Sequence, residues 1–239
     1  KNESLNIREW IDHHFWQGAA HIFIIDNGST DDTLRLIETH SRISDISIFK
    51  LPRPYRQAEH YRYVYKTARI RSRFKWLLIA DADEFWFDKS GKGLVDALQS
   101  LDDFDLIYCN WTIFGTAGHD AHPASLRREL TTCQPALGPH QLTKWVVKTD
   151  AIKGPSAIGI HKVSDCKSTH TISDNERLQI NHYVTQSRQY WTEVKMRRGD
   201  VFDPANDRAR NMQMFDQIEA DCTVRDDRLA AQVQRASQL

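Results

Sequence analysis

Trp76-Leu77-Leu78-Ile79-Ala80-Asp81-Ala82-Asp83-Glu84-Phe85-Trp86-Phe87 is the stretch on which the reading of this chain turns. Apolar residues run unbroken into two aspartates and a glutamate, and three aromatics close the segment. An uninterrupted apolar run of this kind predicts a strand buried on both faces, at the centre of a parallel sheet. Alternate side chains of a strand share a face, so Asp81 and Asp83 are expected to point the same way across the small Ala82. Two carboxylates crowded at the end of a buried strand repel each other and lose hydration, and a divalent cation with oxygen ligands relieves both problems. A solvated acidic turn is the commoner meaning of an isolated Asp-x-Asp. Here the apolar lead-in and the aromatic flank favour a metal site.

Outward from this segment the pattern alternates. Ile7, Trp10, Ile11 and His14 recur at helical spacing behind Asn6 and Glu9, a potential capping pair, and Gly18 stops the run. His21 to Ile25 reads as a strand ending at Asp26, and Asn27-Gly28-Ser29-Thr30 is turn chemistry that leads into a short helix. Ile46 to Leu51 predicts a third element of sheet. Gln57 to Arg73 predicts a helix with Ala58, Tyr61, Tyr65 and Ala68 on its apolar stripe. Helix and strand in alternation argue for an α/β fold in which ligands gather beyond the carboxyl ends of the strands, where Asp26, Asp81 and Asp83 fall. Downstream, Leu94 to Leu101 predicts a helix. Asp105 to Trp111, Lys144 to Lys148, Ile158 to Val163 and Leu178 to Tyr183 predict strands. Ser187 is a candidate cap for a helix stopped by Gly199, and polar helices follow Pro204.

Composition narrows the function classes. The chain has 239 residues, 40% hydrophobic and 27% charged, enough to bury a core. Lys+Arg and Asp+Glu both number 32, so no net field argues for nucleic acid or an anionic membrane as partner. No apolar run reaches membrane-spanning length. Cys109, Cys133, Cys166 and Cys222 have neither zinc nor redox spacing and read as reduced thiols. The expectation is a cytoplasmic protein, with peripheral membrane attachment through an upstream anchor left open because the chain starts at Lys1.

Several motifs in a fixed order carry a resemblance. Lys1-Asn2-Glu3, Asp26-Asn27-Gly28-Ser29-Thr30-Asp31 and Asp81-Ala82-Asp83-Glu84-Phe85 are followed by Trp111-Thr112-Ile113-Phe114-Gly115, Gly118-His119, Asn181-His182-Tyr183 and Lys195 to Gly199. Together they resemble the nucleotide-sugar-dependent glycosyltransferases of the GT-A fold, family-2-like, and look most like glycosyltransferase family 92 and its bacterial relatives. The resemblance implies a Rossmann-like mixed, mainly parallel sheet flanked by helices. It implies one GT-A domain over residues 1–200, with 201–239 as a C-terminal helical extension packed on it. In one respect the chain departs from the family, whose first strand should precede Lys1-Asn2-Glu3.

The resemblance also implies roles. Asn2, Glu3, Asp26, Asp31 and Asp81 would contact the nucleotide, although Asp26 reads equally as a turn-forming aspartate. Asp81, Asp83 and His182 would hold Mn2+ or Mg2+, which oxygen ligands with one imidazole suit better than zinc. A sugar would pass from a nucleoside diphosphate donor, UDP-sugar by family weight, to a hydroxyl of a glycan or other acceptor, with inversion. Glu129, Asp120 and His161 are the candidates for the base, with Glu129 preferred, and His119 is a further one. Lys195, Arg197 and Arg198 could face the phosphates, and Trp111 and Trp145 could stack on sugar or belong to the core. Two alternatives remain: a binding module without catalysis, and a nucleotidyltransferase, for which the glycine-rich phosphate loop is missing.

Overall fold

The structure is a computed structural model and describes residues 1–135, 142–167, 170–198 and 210–238. The helix stop at Gly199 and the break at Pro204 lie outside the described residues. Among the described residues ten strands follow in chain order: β1 Ile22–Asp26, β2 Ile46–Lys50, β3 Trp76–Leu78, β4 Glu84–Asp88, β5 Leu106–Ile113, β6 Thr132–Cys133, β7 Thr143–Lys148, β8 Thr171–Ser173, β9 Leu178–His182 and β10 Val224–Arg225. The α-helices are α1 Ile7–Trp16, α2 Thr33–Glu38, α3 Gln57–Thr67, α4 Ile70–Arg73, α5 Leu94–Ser100, α6 Leu126–Glu129, α7 Arg188–Tyr190, α8 Met196–Arg198, α9 Met212–Asp221 and α10 Arg228–Ala236. A π-helical turn, Trp191–Lys195, joins α7 to α8.

The fold is mixed α/β, and the parallel expectation needs correction. The main sheet has six strands, ordered β3-β7-β5-β9-β4, with β8 also on β5. The β3–β7, β7–β5 and β4–β9 pairs are antiparallel, while β5–β9 and β5–β8 are parallel. The apolar run that was expected at the centre ends the sheet instead. Trp76–Leu78 is an edge strand and only half-buried. Its place inside is taken by Trp145, Val146 and Val147, all buried, which pack both faces of β7. Beyond Ala80 the stretch turns, with Glu84 N donating to Asp81 O at 3.0 Å, and resumes as a separate strand, β4, whose every residue is buried.

β1 and β2 pair in parallel and form their own small sheet. β1 runs in the same direction as β3. Both start at one end, where His21 and Phe74 rings lie 5.9 Å apart, and both finish at the N-terminal end of α1. There Ser29 Oγ accepts from Asn2 N at 2.9 Å, and Asn6 Nδ2 donates to Ala82 O at 3.2 Å. Between the two strands lies an apolar cavity of about 450 Å³ lined by Ile22, Phe23, Ile25, Leu77 and Ile79, with α3 residue Val64 along it.

Two further expectations fail locally. Ile158 to Val163 is no strand, because Gly159 N donates to Lys162 O at 3.1 Å and closes a tight loop bearing a single bridge. Asn6 and Glu9 do not cap α1. Asn6 is drawn to Ala82, while Glu9 accepts from Leu126 N at 2.8 Å and Arg127 Nε at 3.0 Å, serving the start of α6 instead. The charge of a carboxylate is favourable at either helix start, and tertiary contact selects the second. His14 packs in the core as expected, and α10 buries Leu229 and Val233 against Leu126 and Leu130. All four cysteines are unpaired.

Candidate functional site

The Asp81–Glu84 turn is pinned by α1 from above. Trp10 Nε1 donates to Asp81 O at 2.9 Å and to Glu84 O at 3.0 Å, and Glu84 Oε2 accepts from Asp81 N at 2.9 Å. Because the backbone turns here, the strand pleat no longer governs its side chains, and the two aspartates diverge. Asp81 accepts from Gln57 Nε2 at 2.8 Å and Tyr61 Oη at 3.1 Å, both on α3, and from Lys144 Nζ at 2.8 Å. Asp83 is bonded to Lys195 Nζ and lies 3.6 Å from His182 Nε2. The antiparallel register of β4 on β9 sets Glu84 opposite His182, and Tyr183 N donates to Asp83 O at 2.9 Å. Sheet pairing therefore brings His182 to Asp83.

Burial makes these charges consequential. Lys144 and Glu84 are fully buried, and Lys144 Nζ stands 3.4 Å from Glu84 Oε1. Burial and the neighbouring Asp81 push the Glu84 carboxyl well above the usual range, against the pull of Lys144. Burial also works against ionisation of Asp81 and Asp83, which repel each other. Lys144 outweighs it at Asp81, while Lys195 and His182 outweigh it at Asp83, which is held well below the usual carboxylate range. Burial lowers Lys144, and Asp81 with Glu84 raises it further than burial lowers it. The result is a dense, largely neutralised ionic network at the end of β3.

The other expected nucleotide residues form a turn beside β1. Asp26 accepts from Gly28 N at 3.0 Å and from Ser29 Oγ at 2.5 Å, the geometry of a turn-forming aspartate. Asp31 accepts from Ser4 N at 3.1 Å and Thr33 Oγ1 at 2.6 Å; burial would raise its carboxyl, and these bonds lower it overall. Asn2 Oδ1 accepts from Thr30 N at 2.9 Å. Glu3 is buried, accepts from Tyr190 Oη at 2.9 Å and pairs with Arg198. Thus Asn2, Glu3, Asp26 and Asp31 share one network at the mouth of β1, tied through Tyr190 to the helical segment that carries Lys195.

The base candidates separate. His161 Nδ1 is 3.0 Å from Thr143 O, and its ring lies 5.3 Å from Trp111, whose ring is 4.3 Å from His182. Burial lowers the His161 pKa. Glu129 accepts from Ser125 N at 2.9 Å and stands 3.9 Å from His119; Asp120 is exposed beside Arg188. Glu129 and Asp120 are thus engaged with His119, Ser125 and Arg188, whereas the Trp111 ring links His161 to His182 beside Asp83. Trp145 is core, with Nε1 donating to Gly159 O at 3.1 Å, whereas Trp111 stands at the site with a buried, unbonded Nε1. Sequence reasoning missed Lys144, Gln57 and Tyr61. A lysine inside an apolar strand was the available signal, since a buried ammonium demands an acidic partner.

A divalent ion finds a partial fit. Asp83 Oδ1 and His182 Nε2 face each other at a spacing too long for a good hydrogen bond and suited to two ligands of one ion, and His182 Nδ1 is buried without a partner. Asp81 is engaged by its own donors, and among the described residues no three His, Cys, Asp or Glu side chains converge as a ready cage. Magnesium-type ions accept so few protein ligands when phosphate oxygens and water complete the shell.

The sequence profile of glycosyltransferase family 92 matches residues 1–226. The chain belongs to glycosyltransferase family 92. A family 92 protein of Ricinus communis is 25% identical over 203 residues, covering 83% of this chain and 36% of that protein. Within it an 86-residue stretch reaches 30% identity, covering 36% of this chain and 15% of the relative. A family 92 protein of Arabidopsis thaliana is 27% identical over 125 residues, or 51% of this chain and 21% of that one. The family 92 chain described here thus spans 36% or less of the curated relatives it matches. No described helix is long and apolar enough to cross a membrane.

Proposed function

We propose that this chain is the catalytic domain of a metal-dependent glycosyltransferase that moves a sugar from a nucleoside diphosphate, UDP by family weight, to a hydroxyl of a glycan or other acceptor, with inversion. The carrying observation is the meeting of Asp83 and His182 at 3.6 Å across the β4–β9 register, beyond the end of β3. Asp83 and His182 would hold Mn2+ or Mg2+, and the ion would supply neutralising charge as the diphosphate departs. Lys144, Gln57 and Tyr61 fix the orientation of Asp81 toward the nucleoside side. His161, beside Trp111, is the best placed of the candidates to take the acceptor proton, and its lowered pKa keeps the imidazole unprotonated and free to accept a proton at pH 7.

The GT-A arrangement belongs to this proposal. β1 and β3 run in one direction with an apolar gap between them, and an extended segment joined ahead of Lys1 would pair with both and unite the two sheets. Its end would fall at the mouth of β1, beside Asn2 and Asp26.

Donor hydrolysis tests the reading. Nucleotide sugars are incubated with Mn2+, and release of nucleoside diphosphate is followed for the wild type, Asp83→Ala and His182→Ala. One donor is expected to be turned over, with a loss of at least about a hundredfold in either variant. Binding without turnover by any donor and acceptor would leave a binding module instead.

A further inference from the structure

Lys195 already engages the carboxylate that an incoming cation would need. It ends the π-helical turn Trp191–Lys195, a distortion that commonly marks functional positions. The turn extends a helix whose start is capped by Ser187, with Oγ accepting from Tyr190 N at 3.0 Å. The Lys195 ammonium bonds Asp83 Oδ2, and the two side chains are only 5% and 8% exposed. The other oxygen, Asp83 Oδ1, faces His182 Nε2. Tyr190 presents its ring face 5.9 Å from the ammonium, and Arg198, close by, is already committed to Glu3, Lys1 O and Tyr190 Oη.

The charge arithmetic of this pocket is unfavourable for a lone metal. Asp83 and Lys195 cancel, so the one buried carboxylate of the pair already has its cation. A divalent ion set on Asp83 and His182 would share one buried carboxylate with an ammonium, and like charges that close, away from water, repel strongly. A nucleoside diphosphate changes the balance, because it brings negative oxygens to which both cations can turn.

Building on the function proposed above, we propose that Lys195 is an exchangeable counter-ion of Asp83 that keeps the ion site closed to free metal and yields it only when a diphosphate arrives to receive the ammonium. Metal and nucleotide then bind cooperatively, and each strengthens the other by the same factor. Lys195 is a positioning residue in this scheme, and its effect is read in binding rather than turnover.

The test is titration of Mn2+, by electron paramagnetic resonance of the free ion, with and without UDP, on the wild type, Lys195→Gln and Lys195→Arg. Circular dichroism establishes that each is folded, and glutamine can still donate one hydrogen bond to Asp83. For the wild type, UDP should tighten Mn2+ binding by at least about tenfold. Lys195→Gln should bind Mn2+ alone about tenfold more tightly than the wild type, with the UDP effect reduced below about threefold. Lys195→Arg keeps the charge and should hold metal-alone binding as weak as in the wild type. Thermal unfolding gives a second readout: added Mn2+ without UDP should raise the midpoint of Lys195→Gln more than that of the wild type. A folded Lys195→Gln with wild-type metal affinity and wild-type coupling overturns the counter-ion role and leaves the proposed function standing. Absence of Mn2+ binding from all three proteins, with and without UDP, overturns the site and the role together.

Discussion

Replacing Lys144 by methionine is the sharpest probe of the ionic network under the site. Methionine matches the length of the buried stem, so the change removes charge with little loss of packing. Two carboxylates would then face each other unpaired, Asp81 and the fully buried Glu84 that Lys144 now holds at 2.8 and 3.4 Å. Breaking a buried ion pair from one side costs about 3–5 kcal/mol. Glu84 offers an escape, since burial and Asp81 already raise its pKa and a proton would neutralise it.

The sign of the pH dependence follows from linkage. With its folded pKa above its unfolded value, Glu84 holds more protons in the folded state at intermediate pH, so stability falls as pH rises toward the folded pKa. Lys144→Met is therefore expected to lose about 4 kcal/mol at pH 8 and clearly less at pH 5, with a slope of up to about 1.4 kcal/mol per unit. Equilibrium urea unfolding at the two pH values measures both. Adding Glu84→Gln should restore at least half of the loss at pH 8, which a double-mutant cycle reports as coupling. A variant within about 1 kcal/mol of wild type at pH 8, or one whose loss is the same at both pH values, would refute the claim that this network is dry and mutually dependent.

Two other outcomes are expected. His14 is buried on the α1 stripe, and burial lowers its pKa from 6.5 to about 4, with His13 lowered as well. The unfolded state therefore takes up protons first, and stability should drop as pH falls from 6.5 toward 4, by about 3 kcal/mol for His14 alone; urea midpoints that stay flat across this window would contradict the neutral, buried assignment. Ser187→Ala removes the cap of the segment leading to Lys195 and should cost about 1 kcal/mol, with a weaker metal–nucleotide response, measured by thermal shift with Mn2+ and UDP.

Read from sequence alone, the local facts came out well. The helix over Ile7–Trp16, the strand that ends at Asp26, the β9 strand that ends at His182 and the Ser187 cap rest on short-range periodicity and turn chemistry, which the chain carries within a few residues. The motif order also led to family 92, since motifs are linear objects. Strand rank did not follow from apolarity: Trp76–Leu78 is wholly apolar and Thr143–Lys148 carries two lysines, yet packing put β7 inside and β3 at the edge. The same holds for the acidic pair. A regular pleat would set Asp81 and Asp83 side by side, but a turn closed by Trp10 and Glu84 sends one to Lys144 and the other to Lys195. Those lysines lie 63 and 112 positions from their partners, and no local pattern encodes so distant a neutralisation. Side-chain chemistry was written in the chain; which charge cancels which is set by three-dimensional burial, where an unpaired ion is too costly to keep.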